Sequence, residues 1–233
     1  MNALIPDSTR GCDLEGEELA FFGKVAAGVT HELKNVLAII NEANGLMADL
    51  MGMAKDVPLP FRDRFVRSIG KIEDQVRRGV EITGKFNRFS HSMDNPVADV
   101  ELNEITLQTV ALAERFARLK YIRLEWDPSG QAVVLGKTNA FRLQMALTRG
   151  IEALMAAMPS PGAIRLAVRN DTTRPGMDIS CKPDTPGEVI SRETMFAAPE
   201  WQTFESSVAL IGAEVLWRDD LSETGFSVIF KGN

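Results

Sequence analysis

The sequence predicts an α+β protein: a long antiparallel helical hairpin that forms a dimeric four-helix bundle, followed by an α/β sandwich. Three observations carry this prediction. Apolar residues recur in alternating steps of four and three through Phe22, Ala26, Val29, Leu33, Val36, Ile40, Ala43, Met47 and Leu50, the spacing of a bundle seam. The run Lys55-Asp56-Val57-Pro58-Leu59-Pro60 then breaks the pattern, because its prolines cannot continue a helix. Beyond Pro96 the texture changes to short alternating apolar runs interleaved with longer helical ones, as layered α and β elements require.

Taken in order, residues 1–16 read as an N-terminal tail and residues 17–95 as the hairpin domain. The first helix covers about Glu17 to Met51. The second carries Phe65, Ile69, Ile72, Val76, Thr83 and Phe86 near heptad spacing and ends near Ser92, before Asp94-Asn95-Pro96. Helices of about thirty residues are roughly 45 Å long, and a lone hairpin of that length cannot bury both seams. A second copy can cover them, which predicts a homodimer.

Residues 96–233 read as the sandwich. Leu102 to Leu119 predicts a helix, Ile122 to Trp126 a strand, Pro128-Ser129-Gly130 a turn and Ala132 to Leu135 a short strand. Asn139 to Met158 predicts a third long helix, closed by Pro159-Ser160-Pro161-Gly162. Strands follow at Ile164–Val168 and Met177–Cys181, then a helix through Val208–Ile211 stopping at Gly212, then strands at Val215–Trp217 and Phe226–Phe230.

Composition narrows the function classes. The chain has 233 residues, 45% hydrophobic and 25% charged, within the range of ordinary globular proteins. A formal net charge of -6 without a basic cluster argues against a nucleic-acid-binding surface. Two cysteines, Cys12 and Cys181, point to a reducing compartment without a disulfide framework. No run of 18 apolar residues exists, and the first residues lack the basic start and apolar core of a signal peptide. The expectation is a cytoplasmic protein with no membrane insertion.

The most informative residue is His31, one of two histidines. It lies two residues past Val29 and two before Leu33, which turns it away from the apolar seam. Asn35 follows one turn later on the same outward side, and Glu32 flanks the seam. The other histidine, His91, falls near the end of the second helix, where capping terminal carbonyls is the expected role. Gly28, three residues before His31, either leaves room for a partner or simply tolerates a small side chain. Arg77, Arg78, Lys85 and Arg88 form either a solvated helix face or a contact for an acidic partner.

The run Thr30-His31-Glu32-Leu33-Lys34-Asn35, followed by Val36 to Ile40, resembles the dimerisation and phosphotransfer domain of sensor histidine kinases. Gln75-Val76-Arg77-Arg78-Gly79 through Thr83 to Phe89-Ser90 resembles the second helix of that domain. Val100 to Phe230 resembles, more faintly, the ATP-binding domain of the same kinases, with Leu102-Asn103-Glu104 near its start and Asn139 to Met158 as its asparagine-bearing helix. The resemblance implies His31 as the phosphorylated residue. It implies Glu32 as the group that orients the ring or takes its proton, and Asn35 as the residue that positions water for dephosphorylation of a receiver.

The second domain departs from the family. Arg149 and Ala153 stand where its two asparagines belong, so the amide that holds magnesium is missing. Asp184-Thr185-Pro186-Gly187 is a reduced, out-of-step version of the adenine-binding motif. Ala197 to Val208 has no glycine where a glycine-rich lid is expected. The chain therefore resembles the ATP-less histidine phosphotransferases of the ChpT type. That resemblance implies no cofactor bound by this chain, with Mg2+ supplied by the partner receiver domain. It implies as partners response-regulator receiver domains and an upstream hybrid histidine kinase. Two other readings stand beside it: a divergent ATP-dependent sensor histidine kinase or phosphatase, and a non-catalytic dimeric adaptor.

Overall fold

The computed structural model describes residues 8–53, 62–91, 97–158, 161–185, 190–220 and 223–231. The proline break at 55–60, the predicted helix end near Ser92 with Asp94-Asn95-Pro96 after it, Pro159-Ser160 and the loop residues Pro186 and Gly187 lie outside the described residues, as does the side chain of His91. The chain divides into two compact units, Phe22–Arg88 and a larger one formed by the segment up to Phe21 together with Phe89 onward.

The smaller unit is built from two helices. Helix α1 (Ser8–Met53) starts earlier than the apolar pattern indicates, and the second helix is α2 (Arg62–His91). They run antiparallel: the rings of Phe22 and Phe86 lie 6.2 Å apart, and Val36 packs against Gly79. Along α1 the predicted seam is buried or half-buried at every position from Phe22 to Leu50.

On α2 the inward seam is displaced from the predicted one. Phe65, Ser68, Ile72, Gln75, Gly79, Ile82 and Phe86 are the sheltered residues, again in steps of three and four. Ile69 and Val76, expected inside, are 48% and 49% exposed, and Thr83 is exposed as well. Two interleaved stripes on one helix explain the difference. The inner stripe includes a serine, a glutamine and a glycine, whereas the outer one carries the β-branched Val66, Ile69, Val76 and Val80. Apolarity alone selects the outer stripe.

The larger unit has a two-stranded sheet and a five-stranded one. Strands β1 (Ala98–Glu101) and β3 (Val134–Thr138) pair antiparallel. Strands β2 (Ile122–Asp127), β4 (Gly162–Arg169), β5 (Gly176–Pro183), β6 (Glu214–Asp220) and β7 (Glu223–Ile229) form the main sheet in the order β2-β4-β5-β7-β6. Only β2 and β4 are parallel; the other neighbours are antiparallel. Helices α3 (Leu102–Leu119), α4 (Ala140–Ala157), α5 (Arg192–Ala197) and α6 (Pro199–Leu210) complete the unit.

Period-two alternation sets the two faces of the sheet. Ile164, Leu166, Met177, Ile179, Cys181, Phe226 and Val228 point into one core shared with Leu143, Leu147, Ile151 and Leu154 of α4 and with Trp201, Phe204 and Val208 of α6. Burial pushes the Cys181 thiol up to about 12, so at neutral pH it is a packed, uncharged group. The opposite face is polar and joined across strands: Arg165 meets Asp127 at 2.5 Å, Arg218 meets Asp178 at 2.8 Å, and Ser180 donates to Glu223 at 2.7 Å. Gly225 permits the close approach of β7 to β5, since a Cβ there would stand 2.3 Å from the Ile179 carbonyl oxygen.

Phe21, Phe89 and Phe141 pack edge-on or tilted at 5.3–5.7 Å, and Glu18 accepts a 2.6 Å bond from Arg142 Nε. These contacts anchor the first part of α1 and the end of α2 to α4. Strand β1 is absent from the sequence reading because Ala98-Asp99-Val100-Glu101 holds one large apolar residue, Val100, which sets no alternation. The fold is the mixed α+β architecture predicted, a long helical hairpin followed by an α/β layer.

Candidate functional site

His31 lies in the middle of α1, where the four-three pattern keeps the chain helical and sends its side chain to solvent. Val36 on the same helix is buried, while Glu32 and Leu33 are half-buried beside the seam. Asn35 is exposed on the outward side, and its Nδ2 lies 3.2 Å from His31 Nδ1. The hairpin thus brings His31 and Asn35 into direct contact and leaves Glu32 on the adjoining shoulder. Gly28 is buried. It therefore belongs to the sheltered side of α1. Arg77, Arg78 and Arg88 are exposed, and Arg77 reaches Asp74 only at 4.0 Å with both groups over 70% exposed, a pair of little energetic weight.

A histidine in this setting can act as a nucleophile. A neutral imidazole offers a ring nitrogen lone pair, and the protonated ring is a good leaving group. Phosphoryl transfer asks chiefly for in-line approach and charge neutralisation, so one exposed ring and a few neighbours suffice.

In the larger unit, the residues that the resemblance would place at nucleotide positions have partners within the chain. Ala153 is fully buried and presents a methyl group. Arg149 Nη1 donates to Ser207 Oγ at 2.5 Å, and that hydroxyl donates to the Thr203 carbonyl at 2.7 Å. The face of α4 at Gly150 is closed by Phe204 and Phe226, which a Cβ there would meet at 3.1 and 3.2 Å. Asp184 is gripped in bidentate fashion by Arg123, at 2.7 and 2.9 Å. Beyond this pair come α5, capped by Ser191, and α6, which begins with Pro199 and has no side-chain cap. A triphosphate with its magnesium needs oxygen donors and approachable backbone amides; Ala153 supplies no oxygen, and Arg149 and Asp184 are paired with Ser207 and Arg123. Among the described residues no cluster of three or more His, Cys, Asp or Glu could hold a metal ion.

The hydrogen bond from Arg123, reinforced by its charge, holds the Asp184 carboxyl below the usual carboxylate range. A carboxylate with a lowered folded pKa stabilises the fold above its unfolded pKa, and the contribution disappears as pH falls through the folded value. Arg123→Gln is therefore expected to lower the urea midpoint modestly at pH 7 and to match the wild type at strongly acidic pH. Urea titrations at both pH values check this.

Sequence reasoning missed the polar knot at the start of α3. Glu101 accepts from the backbone amides of Asn103, Glu104 and Val133 at 3.1, 2.7 and 3.2 Å, and Asn103 Oδ1 accepts from Ser129 at 2.8 Å. Burial pushes the Glu101 carboxyl up, but these bonds outweigh it and hold it low. Two clefts, of about 430 and 360 Å³, open beside β3 and on the polar sheet face, and neither contains a predicted site residue. Among the described residues no helix is long and apolar enough to cross a membrane.

No family model matches the chain. It is 27% identical over 189 residues to the C4-dicarboxylate transport sensor protein DctB of Rhizobium meliloti, a match covering 78% of this chain and spanning only 28% of that relative's length. Among solved structures it is similar to the catalytic domain of histidine kinase ThkA, at 12% identity and a TM-score of 0.47, over 58% of this chain and 96% of that one. It is also similar to the histidine kinase AdeS of Acinetobacter baumannii, at 12% identity and a TM-score of 0.46, over 87% and 98%.

Proposed function

We propose that this chain is a histidine phosphotransfer protein of a two-component phosphorelay, which shuttles a phosphoryl group through His31 between receiver-domain aspartates and does not use ATP. The observation that carries the reading is the state of the nucleotide positions: Ala153 offers no oxygen, while Arg149 and Asp184 are bound to Ser207 and Arg123. The exposed His31 then takes its phosphate from another protein.

In the forward step the lone pair of an imidazole nitrogen forms a bond to phosphorus. The bond from phosphorus to the receiver's aspartyl oxygen breaks, and its electron pair leaves with the carboxylate. Glu32 orients the ring or takes its proton. Charge neutralisation comes with the receiver, whose acidic site would bring the magnesium ion. The return step runs the same events toward a second aspartate.

The active form is a homodimer in this reading. Support comes from the outer stripe of α2, where Val66, Ile69, Val76 and Val80 are between 48% and 67% exposed, with Leu37 and Leu46 exposed on α1. Four apolar side chains at helical spacing on one exposed helix face are costly in water and are covered by a bundle partner. Ile69→Glu with Val76→Glu is expected to give a helical monomer in sedimentation equilibrium, because both side chains lie outside the hairpin seam. Ile82→Glu, on the buried seam, is expected to lose helix instead.

The test of the proposal is incubation with a panel of phosphorylated receivers. Label is expected on His31, and a panel in which no receiver labels the protein would sink the idea. An ATP-dependent kinase is the second reading, favoured by the similarity to DctB across 78% of this chain. Calorimetry with ATP and magnesium separates the two: a micromolar site would overturn the ATP-free reading, and the expected result is no binding heat.

A further inference from the structure

We propose that the cleft beside β3 is a docking groove for an extended, acidic segment of a partner protein, which adds as a strand to the open edge of β3. No residue of the groove takes part in the phosphotransfer reading.

The cleft encloses about 430 Å³, and residues 132–138 line it without a gap. That run is β3 together with the two residues before it. Side chains of a strand alternate between its two faces, so a cleft over one face meets every second residue. A cleft lined by every residue in turn runs along the strand's edge. Among the described residues β3 pairs only with β1, and its other edge is a row of backbone donors and acceptors at strand spacing. With five residues β3 offers about 17 Å of such edge. Across the cleft stand Asp171 and Pro175 of the loop between β4 and β5, Ile211 and Gly212 after α6, and Phe230 and Lys231 at the end of β7.

Charge decides which kind of strand fits. Lys137 and Lys231 line the cleft and are exposed. Asp171 is the only acidic residue of the lining, and its Oδ1 is occupied: it accepts from the Thr173 hydroxyl at 2.7 Å and from the amides of Thr173 and Arg174 at 2.9 and 3.1 Å. The charges left to meet a ligand are therefore positive. Val134, 55% exposed on the same strand, adds an apolar contact. A segment alternating carboxylates with apolar side chains complements both features.

The backbone sets Lys137 apart. Between the pairs Ala98–Thr138 and Val100–Leu135, β1 has one residue and β3 has two, a bulge that contains Lys137. Its φ of 49° lies in the left-handed region that glycine enters freely and lysine rarely. The Lys137 amide donates to Asp99 Oδ1 at 3.3 Å, which holds the bulge. The strained position carries an exposed side chain that belongs to no core, and strain of this kind gathers at binding sites.

The groove is also remote from Asp184. Strand β5 starts directly after Pro175 and ends directly before Asp184, eight residues or about 25 Å along.

The probe is an acetylated, amidated octapeptide of alternating glutamate and valine, titrated into the isotope-labelled full chain and followed by NMR. The amide resonances of β3 are expected to shift and saturate at low salt, and the affinity to fall as salt screens the charges. An octapeptide of alternating lysine and valine should not bind. The acidic peptide with every amide N-methylated keeps its charges but has no N–H to donate, and it should not bind either. Lys137→Gly, which suits the positive φ, and Lys231→Ser should each weaken binding about tenfold, the size of one charge-assisted hydrogen bond. Circular dichroism of both variants should match the wild type.

No shift at β3 with the acidic peptide overturns the proposal, as does equal binding of the N-methylated peptide or of the doubly substituted chain. Succinate is the last probe. If it shifts the cleft resonances and the peptide does not, the cleft is a pocket for small anions and the docking groove is refuted.

Discussion

His31→Ala is expected to abolish transfer of label from a phosphorylated receiver, a loss of at least about a thousandfold, while leaving the fold intact. The magnitude follows from chemistry. When the atom that forms the covalent intermediate is removed, no neighbouring group takes its place, and losses of this order are usual for nucleophile deletions. The intact fold follows from exposure: His31 is in solvent, so its truncation leaves no cavity and stability should change by less than about 0.5 kcal/mol. Glu32→Gln should fall between wild type and His31→Ala, with about a hundredfold loss, as removal of a proton acceptor does. Quantitative labelling over time, with circular dichroism on each variant, checks all three. Equal labelling of wild type and His31→Ala would remove His31 from the reaction altogether.

The largest expected effect on stability is at Trp201. Its ring is 2% exposed and lies 4.7 Å from Phe196, 5.2 Å from Phe204, 5.3 Å from Phe226 and 6.1 Å from Trp217, mostly edge-on. Truncation of such a residue to alanine loses its transfer energy and leaves a cavity that four fixed rings cannot fill, costing about 3–5 kcal/mol. Whole-domain stabilities are about 5–15 kcal/mol, so Trp201→Ala should be marginally folded. With a urea slope of about 2 kcal/mol/M, the midpoint should drop by about 2 M. Equilibrium unfolding followed by far-ultraviolet circular dichroism measures it.

Much of this architecture was legible from residue spacing, and the parts that were not have physical reasons. The seam of α1 could be counted because nearly every seam position is apolar. The seam of α2 could not, because Ser68, Gln75 and Gly79 face inward while Ile69, Val76 and Val80 face out. Hydrophobic counting finds the exposed apolar stripe before it finds the mixed stripe that is covered. Strand β1 and helix α5 each bury a single side chain, Val100 and Met195, so neither carries an apolar repeat to count. Arg123 and Asp184 are 61 residues apart, and nothing local in either segment announces the pair. Arg149 and Ala153 could be singled out in the sequence, but that Arg149 bonds Ser207 required coordinates. At the hairpin, the outward aim of His31 and Asn35 followed from the count from Val29 to Leu33. Their hydrogen bond is a consequence of helix geometry that the count alone did not supply.

The pairing of Arg123 with Asp184 and of Arg149 with Ser207 bears on how the domain answers to its surroundings. A protein that binds a small molecule only when folded gains stability in proportion to the logarithm of that molecule's concentration. Polar groups already satisfied by one another take no such contribution. In the reading proposed here, the α/β unit holds the same melting temperature whether nucleotide is scarce or abundant. Flow through His31 then follows the relative amounts of phosphorylated and free receivers, and the energy charge of the cell acts only upstream.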